Sequence, residues 1–308
     1  MSAADFPPTE VEALRDALLA WFEAYGRRLA FRGTTDPYAV LVSEVMLQQT
    51  QVGRVEDAWS RFLDRFPTAE SLAAAAPAEV LRAWRGMGYN RRALALQRAA
   101  RAAASGGGLP HEVAELERLP GVGPYTARAV AAIAHGRPVG AVDTNVRRVL
   151  GRISGAGDGL HGRRLQALAD ALVPADRPGD WTHALMDVGA TLCLPRAPGC
   201  SACPVRRWCR TGSLERSIAV AGRETAARPS GRSGRSQAAP FPATVRWLRG
   251  RIVDRLREAA DGEWTVVVAP IGRHATAEVE RALAALAREG LLERDPGDPS
   301  RARLPQAG

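Results

Sequence analysis

From residue 9 to about residue 210 the apolar positions recur three and four apart, the spacing that lines them along one face of an α-helix. EVEALRDALLAWFEAY, DPYAVLVSEVMLQQTQV, RVEDAWSRFLDRF, AEVLRAWRGM, RRALALQRAARAAA, YTARAVAAIAHG, DTNVRRVLGRI, RRLQALADALV and WTHALMDVGATL all read this way, punctuated by Gly, Pro and Asp. No segment in this span alternates as a strand does. The pattern predicts an all-α unit with short connections, in which neighbouring helices pack on one another. Residues 214–240 are polar, basic and rich in Gly, Ser and Ala, and predict a flexible linker. Beyond them TVRWLRGRIVDRLREA and TAEVERALAALAREGLLER read as two helices, with WTVVVAP a strand between them and GLLER a closing turn. That order suggests a small winged-helix-like module. The chain therefore divides into a helical domain (1–213), a linker (214–240) and the module (241–308).

One position breaks the pattern. Glu44 lies among Leu41, Val42, Val45, Met46 and Leu47, and at helical spacing it shares a face with Leu41, Leu47 and Gln48. A buried carboxylate costs several kcal/mol and relieves that cost by keeping its proton. Local pattern alone also allows Glu44 to reach solvent.

Composition narrows the field. The net charge is +9, and all 42 Lys+Arg positions are arginine. A basic surface of this kind suits a polyanion, since arginine matches phosphate with a two-pronged fork; a solvated surface is the plainer alternative. The absence of lysine excludes Schiff-base chemistry through a lysine. No apolar run approaches the length of a bilayer span, and the N-terminal MSAADFPPTEVEALRD lacks a basic, signal-like start. The expectation is a soluble, monomeric, cytoplasmic protein with no membrane partner. The five histidines show no ligand-like spacing.

Two motifs carry chemistry. Cys193, Cys200, Cys203 and Cys209 have six, two and five residues between them in CLPRAPGCSACPVRRWC. Without a secretory signal, disulfides are disfavoured. The uneven spacing with one close pair suits a [4Fe–4S] cluster better than zinc, which remains the alternative. Arg196, Arg206, Arg207 and Arg210 would surround such a loop. The second motif is LPGVGPYTARAV, where Gly121, Val122 and Gly123 precede a helix opened by Pro124. Following HEVAELERL, it reads as a helix–hairpin–helix, whose backbone N–H groups bind a DNA phosphate without reading sequence. A plain helix–helix turn is the alternative.

Together, LPGVG, the VDTNVRRVL segment with Asp143, and the six–two–five cysteine loop resemble the endonuclease III superfamily of DNA glycosylases. SEVMLQQTQV, AWRGMGYNRRA and GVGPYTA resemble its adenine DNA glycosylase (MutY) branch over residues 10–210. The resemblance implies a two-lobed helix-hairpin-helix glycosylase with a [4Fe–4S] loop, acting in base excision repair on double-stranded DNA with mismatched adenine, near the nucleoid. It implies Glu44 as catalytic acid, Asp143 as essential aspartate, Asn145 as an organiser of the site and Tyr125 against the reacting sugar. In the thymine-glycol enzymes the position of Tyr125 is the Schiff-base lysine, so the resemblance implies a glycosylase without lysine-based lyase activity. Arg27, Phe31, Arg32, Leu47, Met186 and Asp187 align with positions around the flipped adenine, Phe31 replacing the usual tryptophan. Gln49 and Tyr89 align with wedge residues beside the partner base, and VDTN replaces the usual VDGN.

The chemistry agrees with those assignments. Adenine leaves poorly unless a ring nitrogen is protonated, which needs an acid with a raised pKa, and the growing positive charge on the sugar needs a second carboxylate that stays ionised. Arg147 and Arg148 are placed to favour the charged form of Asp143, although Asp143 also fits a helix N-cap. Family members typically end in a sheet-rich domain resembling MutT hydrolases, which reads 8-oxoguanine; residues 241–308 are too short for it. A glycosylase for an oxidised pyrimidine or other mismatch, and a non-enzymatic iron–sulfur DNA-binding regulator, are the competing readings.

Overall fold

The computed structural model describes residues 8–212 and 240–306; the predicted linker, except Pro240, lies outside the described residues. These residues gather into two compact units, one drawn from spans 1–44 and 110–227, the other from 45–109 and 228–308.

The first unit holds α1 (Pro8–Tyr25), most of α2 (Pro37–Leu47), α7 (Val113–Leu116), α8 (Pro124–His135), α9 (Thr144–Ser154), α10 (Gly162–Leu172) and α11 (Pro178–Asp187). Its core joins Leu14 and Leu18 of α1, Val149 and Ile153 of α9, Leu168 and Leu172 of α10, and Trp181 and Leu185 of α11. Each pair is four residues apart, so each helix presents one apolar stripe; burying one such leucine is worth about 1.5–3 kcal/mol. Arg15 of α1 donates from Nε to Leu172 O (2.9 Å) and from Nη2 to Ala171 O and Val173 O (3.0 Å each), satisfying carbonyls that α10 leaves open at its end. α11 continues beyond Asp187 as one π-helical turn, Val188–Leu192.

Helix α2 differs from its sequence pattern in two ways. Every residue from Tyr38 to Met46 is buried, so Glu44 is enclosed because the whole helix is, rather than through one apolar face. The helix also stops at Leu47, short of the predicted window, because Gln49 adopts φ 57°, a conformation that ends a right-handed helix.

The second unit holds α3 (Val52–Arg65), α4 (Ala69–Ala74), α5 (Pro77–Ala83) and α6 (Arg91–Ser105), together with the C-terminal module. The short α4 escapes periodicity; Thr68 and Ser71 start it by capping each other reciprocally. Trp84 is fully buried, edge-on to Phe62 at 5.8 Å between centroids, with Nε1 donating to Gly88 O at 3.1 Å.

The module runs α12 (Val245–Glu258), β1 (Thr265–Val266), α13 (Thr276–Arg288), β2 (Glu293–Arg294) and β3 (Arg301–Arg303), with antiparallel sheet order β1-β3-β2. This is the helix–strand–helix–hairpin order of a winged-helix-like module. The predicted GLLER turn contains β2, and the central strand β3 falls in a charged RAR segment whose Ala302 alone is buried. The module is fastened to α5 and its neighbours: Arg257 donates to Leu81 O and Asn90 Oδ1 (2.8 Å each), and Ala78 N–H to Pro305 O (3.0 Å). Among the described residues no helix is long and apolar enough to cross a membrane.

Candidate active site

The first unit brings Glu44, Tyr125 and Asp143 together. Glu44 is 4% exposed, and no described residue hydrogen-bonds to its Oε2. Burial raises its pKa from 4.5 to about 7; the neighbouring Tyr125 hydroxyl opposes the rise, the charge of Asp143 adds to it and that of Arg32 opposes it. The carboxyl thus holds a proton close to neutrality. Burial, reinforced by the charges of Glu44 and Asp143, keeps the Tyr125 phenol protonated well beyond its ordinary range. Its O–H points at Met186 Sδ, 3.7 Å away.

Asp143 sits at the N-cap of α9. Its Oδ1 accepts from Val146 N–H at 2.7 Å, and its Oδ2 from Asn145 Nδ2 at 3.0 Å. The cap and the site are thus one arrangement. Arg147 and Arg148 do not serve Asp143 as the sequence suggested. Arg148 donates to Asn145 Oδ1 (2.9 Å), Gly189 O (2.6 Å) and Cys193 O (2.7 Å), while Arg147 approaches Asp158 at 4.0 Å. Arg147 reaches past the end of α9, and Arg148 reaches back over Asn145 to Gly189 and Cys193, elements that sequence distance conceals. Arg148 therefore fixes Asn145, and Asn145 fixes Asp143. Gly189 makes this possible, because a Cβ there would fall 2.7 Å from Asn145 Cβ.

Asp187 is fully buried and wholly engaged. It accepts from Arg27 Nε (2.6 Å), Arg27 N–H (2.8 Å) and both terminal nitrogens of Arg32 (2.8 Å each). Burial alone would raise its pKa, but hydrogen bonds from Arg32 and Arg27 outweigh it and hold the carboxyl below its usual range. With no acceptor to spare, Asp187 acts by fixing the Arg27–Arg32 segment, which includes the buried Phe31. Removing one partner of a buried pair costs about 3–5 kcal/mol, so Asp187→Asn is expected to lower the thermal midpoint sharply. A midpoint within a degree of wild type would refute this role. His183 escaped sequence reading: burial, then the charge of Arg32, push its pKa down to about 4, so it stands neutral beside this network.

The hairpin before α8 has Gly121 at φ 81° and Gly123 as the N-cap, with Pro124 opening the helix. Val122 is buried and its N–H is closed onto Leu119 O at 3.1 Å. The four cysteines line one cavity of about 200 Å³. Burial pushes the Cys203 thiol up to about 11 and Cys209 upward as well. Arg152 Nη1 donates to Cys193 Sγ at 3.2 Å and Gly212 N–H to Cys209 Sγ at 3.5 Å.

Leu47, Gln48, Gln49 and Tyr89 belong to the second unit. Arg92, the last arginine of AWRGMGYNRRA, joins them: it donates to Val45 O (2.8 Å), Met46 O (3.0 Å) and Gln48 O at the end of α2, and to Met87 O (3.1 Å) and Gly88 O (3.2 Å) before Tyr89. Those carbonyls are the ones a helix end leaves open. Gln49 and Tyr89 both adopt positive φ, 57° and 43°.

The span that holds both Glu44 and the hairpin, residues 42–175, matches the HhH-GPD superfamily base excision DNA repair protein family. The chain is 40% identical to an adenine DNA glycosylase of Mycolicibacterium smegmatis over 281 residues, covering 90% of this chain and 91% of the relative. It is 43% identical to an adenine DNA glycosylase of Homo sapiens over 216 residues, covering 65% of this chain and 40% of that one. The chain belongs to the adenine DNA glycosylase family of the HhH-GPD superfamily. A thermostable thymine-DNA glycosylase superposes with a TM-score of 0.63 at 29% identity, covering 69% of this chain and 99% of the other. A trapped endonuclease III–DNA covalent intermediate shares the fold, with a TM-score of 0.57 at 24% identity, covering 68% of this chain and 99% of the other. The chain is thus a base excision repair glycosylase, a hydrolase acting on DNA, and the reading as a non-enzymatic regulator is set aside.

Proposed function

We propose that this glycosylase hydrolyses the N-glycosidic bond of adenine mispaired with 8-oxoguanine or guanine, as a monomer on nucleoid DNA in the cytoplasm, without lyase activity. The observation that carries the reading is Glu44, with a pKa of about 7 and an Oε2 that no described residue engages. Its proton goes to a ring nitrogen of adenine, which then departs as a neutral base; general acid catalysis of this kind contributes about 10²–10⁴-fold. The bond electrons leave with the base, and water adds to the sugar carbon in its place, giving up a proton that restores the Glu44 carboxyl. Asp143, acting as the carboxylate, faces the positive charge left on the sugar. Tyr125 keeps its proton and lies against the sugar, while Asn145 and Arg148 hold Asp143. Phe31, Leu47, Met186 and the Asp187-fixed arginines Arg27 and Arg32 surround the base, which must leave the duplex stack to be reached. Gln48, Gln49, Tyr89 and the hairpin hold the DNA. With no lysine in the chain, no amine of that kind can attack the sugar. The test is base release from duplexes containing A·8-oxoguanine, A·G and thymine glycol. Adenine release that gives strand breaks only after alkali is expected; release from thymine glycol instead, or breaks without alkali, would contradict it. Elution as a single-chain species in gel filtration checks the monomer.

We assign the four cysteines to a [4Fe–4S] cluster. A four-iron cluster is a body several ångström across, so its ligands stand farther apart than those of one zinc ion. The thiols wall a shared cavity with room for a multi-atom cluster. N–H donors already directed at Cys193 and Cys209 suit thiolate ligands. When bound, the cluster supplies structural cross-linking of the loop, which keeps Arg206 and Arg207 presented to phosphate. The purified protein should be brown with iron and sulfide in equal amounts, and Cys200→Ser should lose the colour. A colourless, zinc-loaded protein would refute the assignment.

A further inference from the structure

Arg92, in the first turn of α6, forms no ion pair among the described residues. Burial pushes its pKa down to about 10, so it stays charged at neutral pH. Oxygens of two turns surround it instead. Nη1 donates to Val45 O, Met46 O and Gln48 O, and Nη2 to Thr50 Oγ1 (3.0 Å), Met87 O and Gly88 O. Thr50 Oγ1 in turn donates to Gln48 O at 3.3 Å. One planar group thus grips the chain on both sides of Gln49 and at the two residues before Tyr89. It also lies 5.4 Å from the ring centroid of the buried Trp84 and 5.5 Å from that of Tyr89, which Arg246 approaches at 4.1 Å.

Gln49 and Tyr89 are the non-glycine residues at positive φ among the described residues. Such a conformation costs about 1–3 kcal/mol and persists only where its surroundings over-determine it. Here the carbonyls beside both residues turn inward to the same cation. Neither turn can relax without stripping acceptors from a half-buried charge. The Tyr89 ring meanwhile stays 40% exposed.

We propose that Arg92 is a positioning residue that locks the turn carrying Gln49 to the turn carrying Tyr89, so that both side chains enter the duplex as one rigid wedge. The inference rests on the adenine-glycosylase reading above, which puts both against DNA. A lysine at this position would present a compact ammonium, which cannot span two turns as the planar fork does.

The test compares full-length holoprotein variants by affinity for an A·8-oxoguanine duplex whose 2′-fluoroadenosine resists cleavage, with a matched duplex as reference. Arg92→Lys should weaken mismatch binding by about 10-fold or more, the order of one lost stacking contact. Matched binding should fall by no more than about threefold, because phosphate contacts hold any sequence alike. Adding Tyr89→Ala or Gln49→Ala to Arg92→Lys should then cost less than either does in wild type, since Arg92→Lys has already withdrawn both side chains. A guanidinium that merely stabilised the fold would give losses that multiply. Should Arg92→Lys fail to fold, Thr50→Val keeps the side-chain shape, removes one acceptor and should show the same pattern at about threefold. Wild-type mismatch affinity in the folded variant, losses that multiply, or an equal loss on the matched duplex would overturn the proposal. If wild type releases no adenine, the functional reading itself fails. If it does and the losses multiply, only this inference fails.

Discussion

Glu44→Gln is expected to abolish adenine release while making the folded chain more stable above neutral pH. Glutamine keeps the volume of the side chain and has no carboxylic proton to transfer, so the rate should fall by about 10²–10⁴-fold. The stability change follows from linkage. In the unfolded chain the carboxyl ionises near 4.5, whereas in the fold it holds its proton until about 7. Between those values the folded state binds more protons than the unfolded one, so stability falls as pH rises. At 1.36 kcal/mol per pH unit the accumulated penalty above neutrality is about 3 kcal/mol. Glutamine escapes it. The melting advantage of the variant should therefore grow from pH 4.5 to pH 7 and then level off, while wild-type base release declines through the same upper limit. A variant that stays active, or one no more stable than wild type at pH 8, would show that the carboxyl is neither the acid nor strained by burial.

Asp143→Asn carries the second large effect and separates two roles of one residue. Asparagine caps a helix about as well as aspartate, so the 2.7 Å contact with Val146 N–H should survive and the thermal midpoint should stay near that of wild type. The negative charge facing the sugar is lost, and base release should drop by about 10²–10³-fold, the order seen when a single electrostatic stabiliser is removed. Asp143→Ala loses both, adding about 1 kcal/mol of destabilisation. Equal activity in the asparagine variant would reduce Asp143 to a cap.

Glu44 stood out because its neighbours in sequence are apolar, and the hairpin and cysteine loop because their spacing is local. What escaped lies in contacts between distant positions. Arg92 sits in a run of arginines that any coding bias could supply, yet it takes up the carbonyls that end α2. Arg246 meets Tyr89 across 157 positions, and nothing in VRWLRG announces a ring partner. Asp187 read as a position around the base, and the donors of its four hydrogen bonds, on Arg27 and Arg32, lie about 155 to 160 positions away in sequence, beyond any local pattern. The alternation that would have marked β3 is hidden because arginines flank the single buried Ala302. Local pattern thus pointed to the candidate groups, and tertiary pairing decided what holds them.

The central claim is that burial keeps a proton on Glu44 at neutral pH. Titration of its side-chain carboxyl by ¹³C NMR, in protein labelled at glutamate and assigned with Glu44→Gln, tests it most directly. A midpoint near 7 is the predicted result; a midpoint near 4.5, the ordinary glutamate value, would contradict it.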